Sequence, residues 1–392
     1  MEGSVKNKIK KKFTKKISGK TILAVLIFTF LLTAPFYMSS FRTNLLGKYM
    51  CFALIVLGID MIWGYTGILS LGHGVYFGLG AYCMAMHLKL EASGNNLPDF
   101  MSWSGIQKLP IIWEPFKSST LTLILIVLVP VALAAVIGYL TFINRIKGVY
   151  FSILSQALSA ALATLLIGMQ GYFGGSNGLT NYTTIFGYSV NSPLTKLVLF
   201  YVTFAVLLLS FILCSILVKR RVGKVLIAIR DSENRARFTG YNPATYKVFV
   251  YCLSAALAGI AGALYVPQVG IISPYDVNIS PSIEMVIWAA IGGKGTLIGP
   301  ILGALLTNSC KSLISESFPQ IWSYFIGVLF IVSVLFLPNG LISLKDVPKR
   351  IKARFFKNGN EQETEIDTEN DEDTIINSKF DSSKEQKELF GR

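Results

Sequence analysis

Residues 219–268 read KRRVGKVLIAIRDSENRARFTGYNPATYKVFVYCLSAALAGIAGALYVPQ. The first half is too polar to cross a bilayer, and a long apolar run, 194–218, precedes it. The second half, 246–267, is apolar and rich in small residues. Within the polar half, Val222, Val225, Leu226 and Ile229 follow i, i+3, i+4, i+7 spacing, one apolar stripe of a helix. Arg230, Asp231, Ser232, Glu233, Arg235 and Arg237 follow as a polar end of mixed charge. Gly240 can close that helix, and Asn242-Pro243 restarts the chain before the next apolar run. The pattern predicts a short amphipathic helix over 222–240, held between membrane spans. A helix lying on anionic lipid carries Lys and Arg on its polar face. Asp231 and Glu233 suit a protein groove better.

Outward from this segment the chain is dominated by apolar runs. Of 392 residues, 52% are hydrophobic and 15% charged, against about 25% charged in an average soluble domain. A span needs about 20 apolar residues. The candidates are 21–38, 45–63, 66–90, 120–143, 148–170, 194–218, 246–267, 297–314 and 321–338. A shorter piece, 283–291, precedes Gly292-Gly293-Lys294-Gly295. If it crosses or re-enters there are ten segments, and otherwise nine. Ten segments put both termini, and the basic residues at 145, 147, 219–245, 294 and 345–357, on the cytoplasmic side. Loops 91–119 and 171–193 then lie outside. The expected organisation is a basic arm over 1–20, a membrane region over 21–344 with the polar segment 219–245 inside it, and a tail over 345–392. The acidic composition of 361–373 predicts disorder in that tail. The first span follows a basic arm without an A-x-A site and reads as an uncleaved helix. The net charge of +14 is explained by membrane flanks and requires no nucleic-acid partner.

Residues 63–87, WGYTGILSLGHGVYFGLGAYCMAMH, carry glycines at 64, 67, 72, 74, 78 and 80. Such density allows either close helix packing or a broken helix that exposes backbone to a cavity. Gly72, Gly74 and Gly78 are the packing or hinge candidates here. Gly292, Gly293, Gly295 and Gly299 play the same part in 291–303, IGGKGTLIGPILG, read as a tight turn between two half-helices. Ser70, His73, Gln268 and Glu284 are candidates for a polar pathway. Glu284 in a first helical turn also complements the helix dipole, and Asp60 near a helix end reads as reaching the cytoplasmic interface. The five cysteines form no CxxC pair and read as small buried hydrophobes. The two histidines lack metal-ligand spacing. No GxxxxGK[ST] occurs, so the chain is not expected to bind ATP by that route. No nucleophile, base and orienting acid stand together, so the residues support no enzyme and no cofactor of the chain's own.

Residues 230–274, together with GYTGILSLGHGVYFGLGAY at 64–82 and IGGKGTLIGPILGALL at 291–306, resemble the branched-chain amino acid family of ABC importer permeases. The resemblance runs through most of 45–345. It implies an all-α, polytopic membrane helix bundle of about 9–10 spans with a cytoplasmic coupling helix, in a bacterial inner membrane. It also implies a heterodimer with a sister permease, two cytoplasmic ATPases that hold ATP and Mg, and an extracytoplasmic binding protein. The family's Ala-x-x-x-Gly core is matched by Ala236 and Gly240, which places Arg230, Asp231, Ser232, Glu233 and Arg235 at or near the ATPase groove. Within the family, LPDFM at 97–101, SNGLTNYTT at 176–184, YVPQVGI at 265–271 and SIEMVIWAAIGGKGTLIG at 282–299 are similar to the urea-type subunit. Urea is therefore the expected substrate, and branched-chain or other aliphatic amino acids are the alternative. The low charge of the spans suits neutral urea. A secondary carrier or channel is a second class, which would have to use Asp60, His73 or Glu284.

Overall fold

The computed structural model describes residues 19–94, 96–146 and 148–317, with isolated positions between 324 and 341. Most of the expected basic arm, nearly all of the 321–338 span and the whole 345–392 tail lie outside the described residues.

The elements, in chain order, are helices α1 (Gly19–Thr33), α2 (Ser40–Thr66), α3 (His73–Ser93), α4 (Asp99–Trp103), α5 (Ser119–Ile143), α6 (Gly148–Gly168), α7 (Gln170–Phe173), α8 (Pro193–Lys219), α9 (Arg221–Asp231), α10 (Glu233–Phe238), α11 (Pro243–Val269), α12 (Pro274–Val277), α13 (Ile279–Gly292) and α14 (Ile298–Ser317). Four two-residue strands are interleaved: β1 (Leu179–Thr180), β2 (Thr184–Ile185), β3 (Tyr188–Ser189) and β4 (Ile271–Ile272). The chain is a helical membrane bundle.

Among the described residues, five helices are long and apolar enough to cross a bilayer: α2, α5, α6, α8 and α11. The sequence suggested nine or ten spans. Among the described residues, α1 and α13 are shorter, and α3 and α14 carry more polar residues. The reason is position in the bundle. In α2, 83% of the most apolar window is buried inside the protein, against 28% in α5 and 33% in α6 and α8. The outer helices meet lipid and must be apolar on their outward faces. α3 is buried along almost its whole length, so its surface is matched to neighbouring helices rather than to hydrocarbon.

The centre is α11, packed against α3, α5 and α2, with α2 in turn against α14 and α8. Lipid gives helices no hydrophobic reason to associate, so close backbone approach carries the packing. A side chain on Gly80 would strike the Gly259 carbonyl, and one on Gly262 would strike the Phe77 carbonyl and the Ala81 nitrogen. These contacts run between α3 and α11.

The expected single span 66–90 is interrupted. α2 continues to Thr66, Gly67 ends it in the left-handed region at φ 76°, and the chain stays non-helical to Gly72. The freed backbone groups are satisfied by α6: Ser155 Oγ accepts from Leu71 N–H (3.0 Å) and Ser152 Oγ donates to the Leu69 carbonyl (2.6 Å). Irregular backbone at membrane depth survives where protein buries it. The glycines thus serve both roles open in the sequence, a break and close packing.

At one end of the bundle the two long loops meet. Trp113 Nε1 donates to the Tyr172 carbonyl (3.0 Å). Glu91 accepts from the N–H groups of Phe186 (3.0 Å) and Gly187 (2.6 Å) in the β2–β3 hairpin. Leu179 pairs with Ile272 in the antiparallel β1–β4 ladder, tying loop 171–193 to the end of α11. The segment 219–245 lies at the opposite end.

Candidate functional site

The amphipathic segment at that opposite end folds as two helices, not the single helix expected over 222–240. α9 stops at Asp231, Ser232 is extended (φ −163°, ψ 102°), and α10 restarts at Glu233. Val225, Leu226 and Ile229 are buried as the stripe predicted. Ala236 joins Val225 and Ile229 in a small core covered by Tyr246 of α11. Gly240 closes α10 at φ 87°.

The charged residues divide by role. Glu233 pairs with Lys247 of α11 (2.6 Å) and with Arg237 (3.4 Å), clamping α10 to the bundle. Arg230 donates from Nη1 to the Gly64 carbonyl at the end of α2 (2.9 Å), and its Nε pairs with Asp231 (3.1 Å). Both residues were expected at or near a partner's groove; each also has a partner within the chain, and the Arg230 side chain stays 39% exposed. Arg230, Asp231, Asn234 and Arg235 are exposed, and Ser232 is half-buried. Phe238, at the end of α10, is 90% exposed. Sequence reasoning missed it because the stripe count ended at Ile229.

Behind Arg230 lies a second feature the sequence did not reveal. Asp60 was read as reaching an interface, but it is fully buried. Its carboxylate accepts from Gly295 N–H (2.5 Å) and Leu297 N–H (3.0 Å), in the turn between α13 and α14. Tyr65 donates to the Gly295 carbonyl (3.2 Å), and Lys294 lies 5.0 Å from the Trp63 ring. The turn itself is strained: Leu297 is held at φ 57°, unusual for a bulky side chain. Gly293 (φ 111°) and Gly295 (φ 76°) supply its other left-handed positions, while Gly292 packs against Gly299. The half-helix turn read from IGGKGTLIG is therefore present. One contiguous chain of contacts runs from α9 through Arg230 and Gly64 to Asp60 and on to the α13–α14 turn.

The four pathway candidates separate. His73 is fully buried and hydrogen-bonded at both nitrogens, to Ser70 (Nδ1···Oγ, 3.0 Å) and Ser254 (Nε2···Oγ, 2.7 Å). Beside it Tyr76 and Tyr251 share a hydrogen bond of 2.5 Å. This is a closed junction between α3 and α11, not a lining. Gln268 ties three helices: its Nε2 donates to Thr203 (2.8 Å) and its backbone carbonyl accepts from Asn44 Nδ2 (2.9 Å). Gly72 packs on the Ser155 carbonyl, Gly74 N–H donates to Ser282 (3.1 Å), and Gly78 abuts Val277. Only Glu284 faces open space. It pairs with Lys311 (2.9 Å) on the wall of a cavity of about 480 Å³. Asp276, just outside the spans, lines the same cavity. Burial pushes its carboxyl up, opposed by hydrogen bonds from Ser273 and by the charge of Lys48. Among the described residues no group of three or more His, Cys, Asp or Glu is placed to hold a metal.

Residues 41–334 match the family described as branched-chain amino acid transport system / permease component. The chain belongs to that family, so it is a transport permease rather than an enzyme. It is 23% identical over 363 residues to the high-affinity branched-chain amino acid transport system permease protein LivM of Salmonella typhimurium, covering 86% of this chain and 79% of that one. Against the corresponding BraD of Pseudomonas aeruginosa it is 25% identical over 310 residues, 76% of this chain and 93% of the relative. A shorter match, 28% over 207 residues, is to the autoinducer 2 import system permease protein LsrC of Yersinia enterocolitica, about half of each chain. No solved structure matches.

Proposed function

We propose that this chain is the membrane-spanning permease subunit of an ATP-driven importer for branched-chain or other aliphatic amino acids. The match over residues 41–334, with relatives named for branched-chain amino acid transport, carries the reading. It replaces urea as the leading substrate, since LivM and BraD are named for branched-chain amino acid transport. The stretches similar to urea-type subunits keep urea as the competitor to be tested.

In this reading two ATPases dock on α9–α10 from the cytoplasm, a sister permease completes the translocator, and a binding protein delivers substrate to loops 91–119 and 171–193. Both termini are cytoplasmic, and ATP and Mg belong to the partner ATPases. Closure of the ATPases pushes α9–α10 against the end of α2. Arg230 passes that displacement to Gly64, and Asp60 couples it to the α13–α14 turn. The strained turn is suited to switching between two arrangements. The small-residue contacts of α3 and α11 let the inner helices move as one body.

A strain deleted for this gene, supplied with labelled leucine or urea at micromolar concentration, decides the substrate. Leucine uptake is expected to fall to background and urea uptake to stay unchanged. Loss of urea uptake alone reverses the choice.

A further inference from the structure

We infer that the cavity between α2, α11, α13 and α14 is a binding station for the zwitterionic end of an α-amino acid, with Lys48 receiving the carboxylate and Asp276 the ammonium. The inference rests on the amino acid reading above and places a substrate contact inside the permease itself.

The cavity holds about 480 Å³, within the usual range of small-molecule sites, roughly 300–1,000 Å³. It lies at the end of the bundle where the two long loops meet, since Asn44 at the start of α2 bonds the Gln268 carbonyl at the end of α11. Five charged side chains line it: Lys48, Asp276, Glu284, Lys311 and Glu316. Glu316, the third carboxylate, is exposed. Neutral urea has no use for such a cluster, whereas a zwitterion presents one charge of each sign.

Lys48 is the decisive residue. Glu284 already holds Lys311 at 2.9 Å. Lys48 makes no ion pair or hydrogen bond among the described residues. Its ammonium sits 5.7 Å from the ring centres of both Phe52 and Tyr265. A cation in a membrane helix without a partner anion is expensive and marks function more often than packing. The Lys311 ammonium, and after it the Asp276 and Glu284 carboxylates, are near enough for their charges to act on it. One carboxylate oxygen of Asp276 is taken by Ser273 N–H and Oγ, both at 3.0 Å, which fixes the group. Phe52, Tyr265 and Trp288 give the cavity an aromatic wall for an aliphatic side chain, with the Phe52 and Trp288 rings 4.8 Å apart. The buried indole N–H of Trp288 has no hydrogen-bond partner.

The test uses the complete transporter, this permease with its sister permease, ATPases and binding protein, reconstituted in liposomes. Labelled leucine uptake and ATP hydrolysis stimulated by leucine-loaded binding protein are measured for wild type, Lys48→Met and Lys48→Arg. Lys48→Met is expected to lower leucine uptake at least about tenfold, the loss of a charge-assisted hydrogen bond, while stimulated ATP hydrolysis stays within about twofold of wild type. Lys48→Arg, which keeps the charge, is expected to retain most uptake. Unchanged uptake in Lys48→Met overturns the station and leaves the amino acid reading standing. A parallel loss of ATP hydrolysis and uptake in Lys48→Met marks a packing defect and also overturns it. Loss of uptake in an assembled Lys48→Arg equal to that in Lys48→Met shows that charge is not what matters, with the same consequence. Wild-type liposomes that take up urea but no leucine refute the amino acid reading, and the station with it.

Discussion

Replacing Asp60 with Leu is expected to abolish transport and to free the turn between α13 and α14. The carboxylate is the buried acceptor for two backbone N–H groups, those of Gly295 and Leu297. Leucine fills the space but accepts nothing. Each donor left unsatisfied costs about 1–3 kcal/mol, so a total of about 2–6 kcal/mol falls on a single turn. That turn also holds Leu297 in a left-handed conformation, which the lost hydrogen bond no longer enforces. Asp60→Asn keeps one acceptor and is expected to lie between wild type and Leu. Lys294 is exposed on the same turn, so trypsin supplied from that face reports the change. Cleavage after Lys294 should accelerate about tenfold or more in Asp60→Leu while uptake falls to background. Wild-type cleavage together with wild-type uptake would show that Asp60 is not the tie between α2 and this turn.

The second large effect concerns the meeting of α3 and α11. Gly262→Leu puts a side chain into the Phe77 carbonyl and the Ala81 nitrogen, which are backbone atoms of the facing helix. They cannot rotate away, so the two helices must separate. Overpacking commonly costs about 1–3 kcal/mol, and a backbone clash lies at or beyond the upper end. The variant is expected to be nearly absent from membranes, with Gly262→Ala reduced less. Gly168→Leu is the control, because nothing stands within 4 Å of a side chain there. Immunoblots of membrane fractions compare the three. Equal abundance of Gly262→Leu and Gly168→Leu would remove close packing as the basis of the core.

Much of this was legible in the sequence, for reasons that differ by residue. The stripe Val225, Leu226 and Ile229 was readable because helical period and burial coincide on one short segment. The glycines of 63–87 announced close approach, and the half-helix turn at 291–299 followed from its Gly and Pro content. The partner of Asp60 was not readable, since Gly295 lies 235 residues away in the chain. A carboxylate in LGIDMIWGY, flanked by apolar residues, was the available signal: burial of that charge demands donors, and a glycine-rich turn offers unpaired N–H groups. Arg230 and Glu233 were placed at an ATPase groove by their mixed charge and by the match at Ala236 and Gly240, which say nothing of contacts within the chain. Their partners, Gly64 and Lys247, appear only once the chain is folded. The scarcity of charge in the spans was also read as a general property. In the fold, Lys48, Asp276, Glu284 and Lys311 come from four separate stretches to one cavity.

The central claim is that work enters this chain from an ATPase through α9–α10. Photo-cross-linking from position 238 tests it most directly, since Phe238 stands 90% exposed at the tip of that element. With a photoreactive phenylalanine analogue at 238 in intact cells, the account predicts a protein adduct whose peptides come from a P-loop ATPase. Adducts to lipid alone, or to no ATPase in a complex that copurifies intact, would contradict it.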